Sequence, residues 1–231
     1  MLPVVLIPGL LCTAEVFAPQ IAALWPHGPV TAAATLEGAT IDEIAAAILA
    51  AAPPRFALAG ISMGGYICLE IMRRAPERVV KLALLDTSAR PDTPEQTARR
   101  RAAVAAARSG DFLAVAAEGT RAQVHPARID DSYLLALNQR MAAAVGVKGY
   151  ARQIEAIIGR SDSRPGLAAI AVPTLVLVGD SDTLTPPALA EELVAGIPGA
   201  RLAVVPQSGH LSTLEQPEAV NRALVDWIAT A

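Results

Sequence analysis

Short apolar runs alternate with longer amphipathic stretches along most of this chain. "PVVLIPG" (residues 3–9), "PVTAAATL" (29–36), "RFALAGIS" (55–62), "VVKLALLD" (79–86), "PTLVLVGD" (173–180) and "ARLAVVP" (200–206) are bounded by turn residues and predict six strands. Helical patterns lie between the first four, at 14–24, 40–51 and 63–75. Strands separated by helices of this length must pair in parallel, because a parallel pair needs a crossover connection, and the helices then cover both faces of the sheet. Such sheets collect ligands beyond the carboxyl ends of their strands. A last helix starting at Pro217 places Val220, Ala223, Leu224, Trp227 and Ile228 on one face and reads as packing, without chemistry.

The alternation stops between Ser88 and Pro165. This stretch is helical in pattern, with "TPEQTARRRAAVAAARSG" and "DDSYLLALNQRMAAAVG" as its clearest pieces and Gly110, Gly146 and Gly159 as breaks. The expected organisation is an α/β core from residues 1–87 and 166–231, with 88–165 inserted between the fourth and fifth strands as a helical lid over the carboxyl edge. Tyr133, Leu134, Leu137, Met141 and Tyr150 fall at helical spacing in that lid. They read first as its own core, with the lining of an acyl site as the alternative.

Composition narrows the class. Hydrophobic residues are 53% of the 231 and aromatics only 3%, so the core is built from Ala, Leu, Val and Ile. The formal net charge of −3 argues against a nucleic-acid binder and against attachment to anionic membranes. Arg99, Arg100 and Arg101 read as a solvated helix face. Cys12 and Cys68 have no CxxC or His-rich context and read as buried thiols, so no metal is expected. The apolar opening "MLPVVLIPGLLCTA" lacks a basic leader and is broken by Pro3, Pro8 and Gly9, and no apolar run reaches the ~18 residues of a spanning helix; a soluble, cytoplasmic protein is the expectation.

One hydroxyl interrupts the apolar run "FALAGISMGGYICLEI". Ser62 sits in Gly60-Ile61-Ser62-Met63-Gly64, where the third strand gives way to a helix, the setting in which G-x-S-x-G has mechanical meaning. A serine hydroxyl is a weak nucleophile unless a base, usually histidine, takes its proton, and that histidine needs a carboxylate to orient it. Of three histidines, His27 lies in a turn before the second strand and His125 lies inside the lid. His210, in "PQSGHLSTLEQP", follows the last strand and so shares the carboxyl edge with Ser62. For the carboxylate, "GDSDTLTPP" after the fifth strand offers Asp180 and Asp182, with position slightly favouring Asp182.

With those residues in place, the sequence resembles the alpha/beta hydrolase family over nearly its whole length. "GISMGG" is similar to the family's nucleophile elbow, "PTLVLVGDSDTLTPP" to its acid loop and "SGHLSTLEQPEAV" to its histidine loop. "LIPGLLCTAEVF" looks like the oxyanion loop, with Pro8 where the family often has histidine. The resemblance implies Ser62, Asp182 and His210 as catalytic residues, with Asp182 chosen over Asp180 because the family's acid stands three residues after Gly179. It also implies the backbone N–H groups of Leu10 and Met63 as oxyanion donors. The implied fold is the alpha/beta hydrolase fold with a sheet trimmed to about six strands, since many members carry two further strands ahead of this chain's first. The implied activity is hydrolysis of a small carboxylic ester through an acyl-enzyme without a cofactor, with lactones, thioesters and carbon-carbon bonds as alternatives and a non-catalytic receptor as the rival from another class.

Overall fold

A computed structural model describes residues 1–230. Its centre is one sheet of β1 (Val4–Ile7), β2 (Val30–Ala32), β3 (Phe56–Ile61), β4 (Val79–Leu85), β5 (Thr174–Gly179) and β6 (Arg201–Val205), in the order β2-β1-β3-β4-β5-β6. Every neighbouring pair is parallel. The central strands are apolar at nearly every position, Lys81 in β4 and Thr174 in β5 apart, because both faces are covered, and alternate side chains enter two different layers. Val5, Ile7, Leu58, Leu82, Leu84, Val176 and Val178 pack with residues of α2 (Ile41–Ala51), α3 (Met63–Arg74) and α7 (Pro187–Gly196). On the opposite face Val4, Leu6, Ala57, Ala59, Ala83, Leu85, Leu175 and Leu177 pack with residues of α1 (Ala18–Leu24) and α9 (Pro217–Ala229), Trp227 among them.

Two expected elements are shorter than their patterns. β2 is an edge strand of three residues, and its pairing ends with the Ala33 N–H donating to the Leu6 carbonyl at 2.8 Å. The expected helix at 14–24 divides into a 3₁₀ turn, Ala14–Phe17, and α1, because Pro19 brings no N–H to a helix and is accommodated only in its first turn.

Between β4 and β5 the chain forms α4 (Pro94–Ser109), α5 (Phe112–Arg121) and α6 (Ser132–Ile158). Thr93 caps α4 in a reciprocal box with Gln96, and Asp111 and Asp131 cap α5 and α6 through their carboxylates. Gly110 and Gly159 follow the ends of α4 and α6, and Gly146 breaks α6 at φ 69°, ψ 166°, a left-handed conformation that glycine adopts without a Cβ penalty. The five apolar residues singled out in this segment separate. Leu134, Leu137 and Met141 join the main core beside Leu211 and Leu214, and Tyr150 packs with Val104, Ile154 and Phe112 in a smaller cluster. Tyr133 belongs to neither and is 68% exposed. Arg99 and Arg101 are solvated, while Arg100 turns back to pair with Asp92 at 2.7 Å.

α8 (Ser212–Glu215) precedes α9, whose C-terminal carbonyls are held from inside the sheet. Lys81, buried in β4, donates through Nζ to the carbonyls of Trp227 and Ile228 at 3.1 Å each and to that of Thr230. A lysine in an apolar strand is tolerated here because its ammonium caps a helix C-terminus. Among the described residues no helix is long and apolar enough to cross a membrane. Lys81→Met keeps the stem but strands those carbonyls, and is expected to lower unfolding free energy by about 1–3 kcal/mol in urea titrations; an unchanged midpoint would contradict the capping role.

Candidate active site

The register of the sheet decides which loops meet. Ile7 pairs with Gly60, Ile61 with Leu85, Leu85 with Leu177 and Gly179 with Val205, so β1, β3, β4, β5 and β6 all end at one edge. That edge receives the turn at residues 8–12, Ser62, Asp86, the loop carrying Asp180 and Asp182, and the loop carrying His210.

Ser62 stands at φ 55°, ψ −117°. Such a conformation costs on the order of 1–3 kcal/mol for a residue with a side chain and survives only where the surroundings over-determine it. Here the Ser62 N–H donates to the Leu85 carbonyl at 3.0 Å, continuing the β3–β4 ladder. Its carbonyl accepts from the Gly65 N–H at 2.9 Å, the Tyr66 N–H at 3.4 Å and the Thr87 hydroxyl at 2.8 Å. The flanking glycines are sterically required: a Cβ at Gly60 would overlap the Gly64 carbonyl, and one at Gly64 would overlap the Ile7 carbonyl.

A chain of hydrogen bonds runs from this hydroxyl into the interior. Ser62 Oγ lies 2.8 Å from His210 Nε2, and His210 Nδ1 lies 2.8 Å from Asp182 Oδ2. Asp182 is saturated by other donors: its Oδ1 accepts the N–H groups of Leu184 at 2.8 Å and Thr185 at 2.9 Å, and its Oδ2 the Thr185 hydroxyl at 2.7 Å. A carboxylate so placed is an acceptor only. Nδ1 therefore carries the imidazole proton, and Nε2 is left to accept from Ser62. Asp180 faces elsewhere. It accepts the N–H groups of Gln207 at 2.9 Å and Ser208 at 3.2 Å, which ties the loop after β5 to the loop after β6.

Burial works against each charge in this group and the neighbours decide the net direction. Burial alone would depress the His210 pKa, but the charge and hydrogen bond of Asp182, with Asp86 and Glu215 behind it, raise it above its ordinary value. Burial likewise pushes Asp182 up, and the His210 charge and hydrogen bond together with Thr185 bring it below the usual carboxylate range.

Two carboxyl groups missed in the sequence complete the surroundings. Asp86, fully buried at the end of β4, accepts the Gly179 N–H at 2.9 Å and shares a hydrogen bond with the Ser212 hydroxyl. Burial and the charge of Asp182 raise its pKa to about 8. Glu215, 2% exposed, accepts the N–H groups on both sides of His210, from Gly209 at 3.0 Å and Leu211 at 3.1 Å, and the His125 N–H at 2.7 Å. The His210 N–H donates to the Gln123 carbonyl at 2.7 Å, so the histidine loop is fastened to the segment joining α5 and α6. In sequence, Asp86 looks like a strand terminator and Glu215 like a surface residue; their only signal is position, Asp86 at the carboxyl end of the fourth strand and Glu215 in the loop that carries His210. His27 lies before β2, remote from the edge, and His125 contributes its backbone N–H here, while its ring Nδ1 accepts from Ala127 at 3.1 Å.

Leu10 and Met63, the implied oxyanion donors, belong to two segments that meet near Ser62. Met63 opens α3 directly after Ser62, and Leu10 lies in the turn after β1, whose Gly9 packs against Ile61 and Ser62. Neither N–H has an acceptor among the described residues. Cys12 and Cys68 are buried reduced thiols, with desolvation pushing Cys12 up to about 12. No group of three or more His, Cys, Asp or Glu side chains among the described residues is arranged as a metal site.

The model of the alpha/beta hydrolase fold family matches residues 37–217. The chain is 30% identical over 189 residues to a putative non-heme bromoperoxidase, BpoC, of Mycobacterium tuberculosis, covering 78% of this chain and 69% of that protein. It is 30% identical over 172 residues to 3-oxoadipate enol-lactonase 2 of Acinetobacter baylyi, covering 74% and 62% respectively. It is also 29% identical over 209 residues to a pimeloyl-[acyl-carrier protein] methyl ester esterase of Aromatoleum aromaticum, covering 78% and 77%. Among solved structures, the enol-lactonase of Burkholderia xenovorans superposes with a TM-score of 0.89 at 28% identity, covering 99% of this chain and 91% of that one.

The raised pKa of Asp86 has a thermodynamic sign. A carboxyl whose folded pKa exceeds its unfolded value of 3.8 contributes stability below that value and loses it as pH rises through about 8. Asp86→Asn removes the titration, so the stability of this variant relative to the parent is expected to rise between pH 5 and pH 8 in urea unfolding. A relative stability that stays flat or falls over that range would contradict the assignment.

Proposed function

The chain belongs to the alpha/beta hydrolase family, and from that premise we propose that it is a serine hydrolase that cleaves a small carboxylic ester through Ser62, His210 and Asp182. Family membership and the ester-hydrolysing relatives support the coarser statement, a hydrolase of ester-like substrates. The finer reading is carried by the unbroken hydrogen-bond chain from Asp182 through His210 to a serine held in a strained turn.

The reaction follows from that polarity. As Ser62 Oγ bonds to the ester carbonyl carbon, its proton passes to His210 Nε2, and Asp182 stabilises the imidazolium through Nδ1–H. The carbonyl oxygen becomes an oxyanion accepted by the free N–H groups of Leu10 and Met63, which are fixed before the charge develops. The carbon–alcohol bond then breaks and Nε2 returns the proton to the departing alkoxide. Water attacks the acyl-enzyme with His210 again as base; the acid leaves and Ser62 regains its proton. The strained backbone keeps the hydroxyl above the turn, clear of the apolar layers on either side of it.

A lactone is the same acyl group tied to its own leaving alcohol, and the likeness to enol-lactonases favours this as a second reading. Rates across short-chain esters, lactones and thioesters separate the two. The alanine-rich insertion suits a modest acyl group, and rapid hydrolysis of long-chain triglyceride would count against that.

Purified protein is expected to turn over p-nitrophenyl acetate. Ser62→Ala and His210→Ala should each lower kcat on the order of 10⁴-fold or more, with Asp182→Asn severe but smaller. Full loss in Asp180→Asn with Asp182→Asn unaffected would show the wrong carboxylate had been chosen. The pH profile carries its own sign: His210 must be neutral to accept the proton, so activity falls on an acid limb as pH drops through a pKa raised above the ordinary imidazole range. Asp182→Asn removes the charge that raises it and should move the limb to lower pH.

A further inference from the structure

The insertion reaches into the proposed oxyanion turn through one buried side chain. Gln153, on α6 and 1% exposed, accepts the Leu11 N–H at Oε1 at 3.0 Å. Its Nε2 donates to Thr35 Oγ1 at 3.1 Å and to the Thr35 carbonyl at 3.4 Å. Thr35 is itself 3% exposed and lies just beyond β2. The amide orientation is dictated by its partners: a backbone N–H can only donate, so Oε1 must face Leu11 and the two amide hydrogens must face Thr35. One side chain thus joins α6, the turn after β1 and the loop after β2.

The residue it holds is in an uncommon conformation. The Cys12 N–H donates to the Gly9 carbonyl at 3.2 Å, closing a turn over Gly9–Cys12, and Leu11, third of the four, has φ 59°. That position in such a turn ordinarily takes glycine or asparagine. A leucine there is relieved by rotating the Leu10–Leu11 peptide, which returns Leu11 to negative φ and swings its N–H to the other side of the turn. In this structure the peptide is held at both ends. Gln153 accepts its N–H, and the Cys12 thiol donates to its carbonyl, Leu10 O, at 3.4 Å. The N–H of Leu10 belongs to the peptide immediately before and shares the Leu10 Cα with this one, so a turn anchored at Leu11 also anchors the Cα from which that N–H is placed.

We propose that Gln153 is a positioning residue: by holding the Leu11 N–H it keeps the turn in the form that directs the Leu10 N–H at the reacting carbonyl oxygen. This rests on the serine-hydrolase reading, in which Leu10 is an oxyanion donor. The hydrogen bonds of Gln153 go to Leu11 and Thr35, and it acts through Leu11. Met63 is fixed independently by α3 and continues to serve when the turn relaxes, so the expected loss is partial.

The test uses the full chain with Gln153→Met, which is similar in size but lacks acceptor and donors, and with Thr35→Val, which removes one anchor of the amide and leaves the turn alone. On p-nitrophenyl acetate, Gln153→Met is expected to lower kcat about 10- to 100-fold with KM within about twofold, and Thr35→Val a few-fold in the same sense. Affinity for a trifluoromethyl ketone, which forms an oxyanion on the serine, should weaken in parallel. Leu11→Gly, which makes positive φ unstrained, should restore most of the kcat lost in either variant; a defect in packing of the insertion would not be repaired by a change in the turn. Parent-like kcat in a folded Gln153→Met, or a loss that Leu11→Gly fails to restore, overturns the proposal. Should Gln153→Met not fold, the Thr35→Val and Thr35→Val/Leu11→Gly pair decides it by the same criteria. If the parent itself shows no Ser62-dependent turnover, it is the serine-hydrolase reading that fails.

Discussion

A side chain at φ 55°, ψ −117° does not stay there unless every alternative is blocked, and the packing between β3 and α3 blocks them. The Ser62 N–H is engaged by β4 and its carbonyl by α3 and Thr87, while the backbones of β1, β3 and α3 approach too closely for any Cβ at Gly60 or Gly64. The strain is small beside the burial of the layers that impose it, since fully burying a single Leu or Ile is worth about 1.5–3 kcal/mol. The hydroxyl's position above the sheet edge is therefore a property of the whole core. The other loops only need to reach it.

They do so at an electrostatic cost that the fold meets with backbone N–H groups. Three carboxyl groups, Asp86, Asp182 and Glu215, are nearly or fully buried around one imidazole. Asp182 and Glu215 each accept several backbone N–H groups, and Asp182, with His210 beside it, is held below the usual carboxylate range. Asp86, deprived of water and repelled by Asp182, is pushed towards its neutral form instead. A buried histidine with an ionised partner on one side and a neutral carboxyl nearby keeps one tautomer without accumulating charge.

Much of the fold was legible because buried parallel strands are continuous apolar runs bounded by turns, and five of the six strands lie within one or two residues of their patterns. β2 is shorter than its pattern because its pairing with β1 ends where the Ala33 N–H meets the Leu6 carbonyl. The common edge of Ser62 and His210 could be read from their places after β3 and β6. Strand position only slightly favoured Asp182 over Asp180, which share one turn; they are told apart by the donors they face. Asp86, Glu215 and Gln153 left no pattern, since a lone polar residue at a strand end, in a short helix or on a long helix looks solvated until distant loops fold against it. Leu134, Leu137 and Met141 joined the main core, which helical periodicity cannot distinguish from packing within the inserted helices.

The central claim is that this hydroxyl becomes a covalent acyl carrier, and trapping it tests that claim most directly. Folded protein treated with a fluorophosphonate should gain one adduct per chain by intact mass, and peptide mapping should place it on Ser62. Folded protein that stays unmodified, or carries the adduct on another residue, would contradict the account.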